Sequence, residues 1–408
     1  MHIKCTNGSP IVDTLDHLPP LPLFVEYEPT GSGDALTRQD ESGIYHALRL
    51  YDRVYHIDFK LPPCNLQNVF LHLDGQFPKL EHLSLQFKFS ASCTESKDSL
   101  PLTFPKAFLA PNLRHLTLPS ISPPRRLRVL TSTVSLVTLE ISKIQMSSYF
   151  RPRLLVARLQ FLPQLKELFI GSLTPILRPS TEGELLGEQR TLVTLPSLQN
   201  LRFTGVGAYL ESLVAQIRAP LLEQLHITLF NQIALVLPHL FNLINNTKVF
   251  KISRARVDFH RDEVCISTEH IDDELEWTTS LYLSVKCKSL DWQIDCAAQI
   301  CHGLIPTLSG VGGLAFYHSQ YNIPTELRNG VIDSATWHDL LRTFIGVKHL
   351  YINHALLEEL SRALQVDEVG LDPEFLPNLQ CIAAKDNHFT SFIDTRQVVG
   401  RPVWFVKK

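Results

Sequence analysis

The chain has 408 residues, more than one ordinary compact core holds, so it is either several domains or one elongated array. Hydrophobic residues make up 44% and charged residues 19%, which excludes an intrinsically disordered chain. A formal charge of −3, from 38 basic and 41 acidic residues, gives no electrostatic reason to expect nucleic acid or an anionic membrane as partner, and no apolar run reaches the roughly 18 to 20 residues that span a bilayer.

Over residues 1–50 the segments "HIKCT", "SPIVDTLDHL", "LPLFVEYE" and "TRQDESGIYHALRL" predict strand, helix, strand and helix. Ser9 followed by Pro10 predicts a helix cap with proline at the first helical position. "LPPLP" (18–22) reads as a connector, and the first residues carry no apolar signal segment, so an intracellular location, cytoplasmic or nuclear, is expected.

From residue 51 a phrase recurs: "FPKLEHLSL" (77–85) is matched by "APNLRHLTL" (110–118) at every apolar position. Extending the pattern L-x-x-L-x-L gives anchors at Val54, Leu80, Leu113, Leu136, Leu165, Leu198, Leu222, Thr247, Val311, Val347 and Leu379. Their steps of 26, 33, 23, 29, 33, 24, 25, 64, 36 and 32 residues mostly lie near the roughly 20 to 29 residue period of leucine-rich repeats. The last two apolar positions alternate with polar ones, as in a short strand with one buried face, and the first closes the turn into that strand. Prolines 78, 111, 163, 196, 220 and 377 precede the strands and end the segments before them. One unit cannot offset the ordering entropy of about 25 residues, at roughly 1 to 2 kcal/mol each, so its neighbours must supply the missing burial.

Helical spacing falls between the strands, in "RPRLLVARLQFL" (151–162), "GAYLESLVAQIR" (207–218), "WQIDCAAQICHGLI" (292–305), "ATWHDLLRTF" (335–344) and "HALLEELSRALQ" (354–365). The predicted fold is therefore α/β, a leucine-rich-repeat-like solenoid or horseshoe with parallel strands on the concave side and helices on the convex side. A single array over 1–408 is expected, with irregular repeats at 1–50, main repeats at 51–255 and C-terminal repeats with a cap at 291–408. The 64-residue step holds alternating segments around an acidic loop (269–276), which predicts an inserted β-hairpin or meander over 256–290.

Array geometry puts the residues between the leucines in outward columns. One holds His56, His82, His115, Thr138, Glu167, Asn200 and Gln224; the next holds Asp58, Ser84, Thr117, Glu140, Phe169, Arg202 and His226. A mixed polar sheet face suits protein recognition, and the candidate binding residues are His56, Asp58, His82, Ser84, His115, Thr117, Glu140, Glu167, Phe169, Arg202 and His226. The three histidines read as a hydrated column without metal, because parallel strands point their Cβ atoms side by side and not at a tetrahedral centre. The eight cysteines form no C-x-x-C pair and are expected as thiols. "SGVGG" (309–313) lacks the lysine of a phosphate-binding loop, and neither H-E-x-x-H nor G-x-S-x-G occurs, so no enzyme activity and no cofactor is expected.

The order "LPPLPLFVEY", "GIYHALRLYDRVYHIDF", "TGVGAYLESLV", "LFNQ" and the terminal R-x-x-x-G-R-P-V resembles the repeat region of fungal F-box proteins with leucine-rich repeats, over nearly the whole chain. The resemblance implies a substrate receptor of a cullin-RING ubiquitin ligase, in which the F-box grips a Skp-type adaptor and the repeats hold a protein target. Nothing before Leu18 provides space for the F-box, so the expectation is either a gene model lacking its first segment or an F-box-less relative. The alternative is a structural or scaffolding repeat protein without a link to ubiquitin.

Overall fold

A computed structural model describes residues 2–4, 15, 21–28, 36–87, 104–105, 107–121, 128–144, 151–172, 192–230, 235–247, 250, 252–271, 277–318, 334–364 and 375–407. The cap expected at Ser9 and the long connections 88–103 and 173–191 lie outside these residues. The chain forms two compact units, Met1–Gly205 with Ala215–Leu221, and Val206–Val214 with Leu222–Lys408.

The first unit is built on parallel strands paired in chain order: β1 (His2–Lys4), β2 (Leu23–Tyr27), β3 (Val54–Leu61), β4 (His82–Phe87), β5 (His115–Thr117), β6 (Thr138–Ile144), β7 (Glu167–Ser172) and β9 (Asn200–Gly205). Two short strands, β8 (Val193–Thr194) and β10 (Ile217–Arg218), pair in parallel beside them. The recurring phrase has a direct backbone counterpart. Leu80, Leu113, Leu136, Leu165 and Leu198 each donate their N–H to the carbonyl three residues earlier, at 3.1 to 3.4 Å, and all five side chains are fully buried. The next two N–H groups then share one carbonyl of the preceding repeat: Arg114 and His115 on Glu81, Val137 and Thr138 on Arg114, Lys166 and Glu167 on Val137, Gln199 and Asn200 on Lys166. Every turn is thus hung on the turn before it, which satisfies backbone donors that would otherwise be orphaned. The apolar strand residues Ile57, Phe59, Leu83, Leu85, Leu116, Leu139, Leu168, Leu201 and Phe203 are buried on one face of the sheet, and the residues between them lie on the other.

The longer helices of this unit are Arg38–Arg49, Pro63–His72 and Pro152–Leu159. The first is closed by a capping box in which Thr37 Oγ1 accepts from Asp40 N at 3.1 Å and Asp40 Oδ2 accepts from Thr37 N at 3.4 Å. The other two begin with proline at the first helical position, where the missing N–H costs nothing.

In the second unit the sheet order departs from chain order. It runs β11 (Gln224–Leu229), β14 (Trp277–Lys286), β13 (Glu263–Ile271), β12 (Arg254–Phe259), β15 (Gly313–His318), β16 (His349–Ile352), β17 (Cys381–Ala384) and β18 (Trp404–Lys407). β13 is antiparallel to both of its neighbours, and every other pair in this order is parallel. The insertion is therefore a three-stranded meander laid into the sheet. Two expectations change here. Thr247 caps the C-terminus of the helix Pro238–Asn246 and is not in a strand; the next strand among the described residues is β12, from Arg254. The first three residues of the expected acidic loop 269–276 belong to β13, because Glu269, His270 and Ile271 pair with Thr279, Thr278 and Trp277; 272–276 lie outside the described residues.

The same hanging turns recur in this unit: the N–H groups of Gly312 and Gly313 share Ser253 O, Lys348 and His349 share Gly312 O, and Gln380 and Cys381 share Lys348 O. Helices Gly207–Val214, Pro238–Asn246, Leu290–Gly303, Ser334–Leu341, Leu357–Leu364 and Thr390–Val398 supply the buried layer. Its largest member, Trp337, is 1% exposed and meets Phe259 and Phe316 edge-on, with ring centroids 5.8 and 5.7 Å away. No helix among the described residues is long and apolar enough to cross a membrane.

Candidate functional site

In the first unit the expected columns form in register. His56, His82 and His115 are consecutive cross-strand partners, followed by Thr138, Glu167 and Asn200. His82 and His115 stack face to face, with centroids 4.2 Å apart and planes within 8°; His56 lies 5.3 Å from His82, and Phe24 lies 5.8 Å from His56. His115 Nδ1 and Thr138 Oγ1 are 3.1 Å apart, and Thr138 Oγ1 donates to Glu167 Oε2 at 3.1 Å. Burial, reinforced by His115 and His56, pushes the His82 imidazole down to about 4, and burial followed by Arg114 also lowers His115. At neutral pH these two rings are uncharged, which is what stacking at van der Waals distance requires. Ring nitrogen lone pairs lie in the ring plane, so face-to-face rings cannot aim them at one ion. Asn200 differs from its column: only 9% of it is exposed, so it offers little to a partner.

The second column pairs Asp58 with Ser84, Ser84 with Thr117, Thr117 with Glu140, Glu140 with Phe169 and Phe169 with Arg202. Arg202 is exposed and holds its guanidinium over the Phe169 ring, 4.6 Å from the centroid. Gln224 and His226 belong to the other unit, where His226 stacks on Tyr282 at 4.2 Å.

The densest aromatic and arginine cluster is one the repeat pattern did not single out. On the face of the second-unit sheet opposite the core, Arg256 binds Asp258 through two hydrogen bonds of 2.7 and 2.8 Å and lies 4.1 Å over the Tyr317 ring. Tyr317 is 5.0 Å from Tyr351. Arg254 pairs with Glu269 and covers the Trp277 ring at 4.3 Å, and Trp277 is 49% exposed. Tyr282, Ser267, Arg256, Ala315, Tyr351 and Ala383 follow one another across the strands, so large residues alternate with small ones. The period-2 alternation of "RARVDF" and "LYLSV" is a signal that could have placed Arg254, Arg256 and Tyr282 on the face opposite the core, but the sequence reading takes it only as a hairpin or meander. Their neighbours across the sheet depend on a strand order that no repeat period contains.

Cys265, Cys287, Cys296 and Cys301 are buried free thiols, and Cys381 is half-buried. Among the described residues, one group has the composition and closeness of a metal centre: the ligating atoms of His260, Glu263 and Cys265 all lie within 4.8 Å of one another.

No profile of a known protein family matches the chain, and no curated protein matches it either. Among solved structures, the TLR13 chain of its complex with ssRNA13 aligns over 100% of this chain and 49% of its own, with 13% identity and a TM-score of 0.38. This chain thus spans about half the length of that one. The leucine-rich repeat-containing protein LegL7 from Legionella pneumophila aligns over 98% of both chains, with 11% identity and a TM-score of 0.28. Likeness this low transfers neither a fold nor a ligand. The leucine-rich-repeat character of the chain rests on its own anchors, hanging turns and parallel strands.

Proposed function

We propose that the sheet face opposite the core is a protein-recognition surface, and that its centre is the cluster of Arg254, Arg256, Trp277, Tyr282, Tyr317 and Tyr351. The observation that carries this reading is composition in place: Trp, Tyr and Arg dominate interface energetics, and here they stand together, part-exposed, on a rigid hydrogen-bonded sheet. The ion pairs and ring contacts hold these side chains before a partner arrives, which lowers the entropy lost on binding. In the first unit we propose the columns through His56, Asp58, His82, Ser84, His115, Thr117, Glu140, Glu167, Phe169 and Arg202 as a recognition face of that unit, and in the second His226, stacked on Tyr282, belongs with the cluster. The resemblance to F-box receptors, whose repeats hold a target, supports this use of the face and makes ubiquitin-dependent recognition the role we propose for it.

A photo-cross-linking amino acid at Tyr351 or Tyr282 is expected to capture the same protein in cells. The same group at Leu71, 73% exposed on the helix Pro63–His72, is expected to capture none of it. Equal capture from both sets, or none from the sheet, would refute the reading. Ubiquitination of the captured protein in cells, expected to fall when Tyr351 and Tyr282 are substituted and unchanged by substitution of Leu71, tests the ubiquitin link separately.

A further inference from the structure

We propose that His260, Glu263 and Cys265 bind one zinc ion at the turn between β12 and β13. Glu263 and Cys265 are two residues apart on β13 and so share a face, opposite the core residues Val264 and Ile266. His260 follows β12 directly, and its N–H donates to Glu263 O at 2.9 Å, which folds the four residues 260–263 into a tight turn. Three potential ligands are thereby gathered at one end of one sheet face by six residues of sequence, His-x-x-Glu-x-Cys. Their ligating atoms lie within 4.8 Å of one another. A tetrahedral ion with about 2.3 Å to sulfur and about 2.0 to 2.1 Å to nitrogen and oxygen needs separations of about 3.3 to 3.6 Å, a contraction that side-chain rotation supplies.

The surroundings hold these residues as metal sites commonly hold theirs. Glu263 Oε2 accepts from Ser284 Oγ at 2.8 Å. Gln293, 1% exposed, donates through Nε2 to His260 O at 2.8 Å and to Cys287 O at 2.9 Å, while Cys287 N donates to Asp262 O at 2.9 Å. The turn is therefore pinned from both sides. Cys265 Sγ sits 3.0 Å from Tyr282 OH. Lys286, the register partner of Glu263, directs its ammonium over the Phe230 ring, 5.4 Å from the centroid.

The donor set selects the metal class. One thiol, one imidazole and one carboxylate suit a borderline-soft ion, whereas calcium and magnesium take oxygen ligands throughout. The Cys265 thiol loses its proton to solvent as the zinc–sulfur bond forms, and three protein ligands leave the fourth position to water. The geometry is the opposite of the histidine column, where parallel strands keep the rings side by side. This inference does not depend on what the sheet face recognises.

The test uses the full chain, stripped with a chelator and titrated with zinc against a colorimetric competitor. One ion per chain is expected, with affinity falling at least about 100-fold in His260→Ala and in Cys265→Ser. Folding of each variant is checked by circular dichroism. Cobalt in place of zinc gives a measurement that needs no variant: a thiolate-to-cobalt charge-transfer band with tetrahedral ligand-field intensity is expected in the parent. No stoichiometric zinc in the parent, a cobalt spectrum without the thiolate band, or folded variants that bind as tightly as the parent would each overturn the proposal.

Discussion

Replacing His82 by phenylalanine keeps a ring between His56 and His115 while removing the group that resists protonation. In the folded protein the His82 pKa is about 4, against 6.5 for the free side chain, because burial and then its two histidine neighbours oppose the charged form. The unfolded chain therefore binds this proton more readily. The stabilisation is intact above about pH 6.5 and is lost as pH falls toward about 4. Between about pH 7.5 and about pH 5 the full shift corresponds to roughly 2 kcal/mol, at about 1.36 kcal/mol per pH unit. Since the ring edge is open to water, screening reduces this to about 1 kcal/mol. Tryptophan fluorescence cannot read it, because all four tryptophans, Trp277, Trp292, Trp337 and Trp404, lie in the second unit. Urea unfolding followed by pulsed hydrogen exchange of peptides from β3 to β5 reports the first unit directly. Over that pH interval the parent is expected to lose about 1 kcal/mol more than His82→Phe. Equal losses would mean that His82 charges freely in the folded state, and the stacked neutral column would be wrong.

Three further substitutions test the second unit. A Cβ at Gly346 would stand 2.3 Å from Ser309 O and 3.2 Å from Val311 O, both backbone atoms that cannot swing aside, so Gly346→Ala is expected to cost about 2 to 3 kcal/mol in urea unfolding read by tryptophan fluorescence. Trp337→Ala removes the ring wedged between Phe259 and Phe316 and is expected to cost about 3 to 5 kcal/mol, measured by circular dichroism melting. Glu211, 6% exposed, accepts from His239 N at 2.9 Å and Leu240 N at 2.8 Å, capping a helix that lacks a side-chain cap of its own. Glu211→Ala is expected to cost about 2 kcal/mol and to speed hydrogen exchange at those two amides, with Glu211→Gln milder.

What the sequence made legible follows the period of the repeat. Leu80, Leu113, Leu136, Leu165 and Leu198 were identifiable because each performs the same task, closing a turn by one hydrogen bond, and the same task selects the same residue. The histidine column was legible for the same reason, since one position in consecutive parallel repeats is one position across the sheet. The meander breaks that rule. β14 inserts beside β11 and β12 beside β15, so Arg256 finds Tyr317, some sixty residues away in sequence, through an order set by tertiary pairing. The sequence reading places a hairpin or meander here but singles out none of Arg254, Arg256 and Tyr282, because only the pairing brings them together. Cys265 was legible as a buried thiol and illegible as a potential ligand, because its closeness to His260 depends on the tightness of one turn.

Two of the segments on which the resemblance to F-box repeat proteins rests, "TGVGAYLESLV" and the terminal R-x-x-x-G-R-P-V, have structural tasks in this chain. In "TGVGAYLESLV" the charged residue is Glu211, the cap of a neighbouring helix. In the terminal R-x-x-x-G-R-P-V, Arg396 donates through Nη2 to Leu376 O at 3.1 Å and to Pro377 O at 3.3 Å, tying the last helix to the turn before β17. Gly400 adopts φ 74°, its N–H bonds Gln397 O at 3.1 Å, and Arg401 N bonds Arg396 O at 2.8 Å, the paired bonds of a Schellman helix end that only glycine enters without strain. These positions hold the repeats together and close the last helix, so they speak for packing and not for a partner. If the sheet face binds a protein as proposed, the choice of partner would fall to the residues on that face between the buried columns. Substituting Arg256 or Tyr317 should then alter what is bound, and Arg256→Ala should also lower the unfolding free energy by about 1 kcal/mol, because it leaves the part-buried Asp258 without its ion-pair partner.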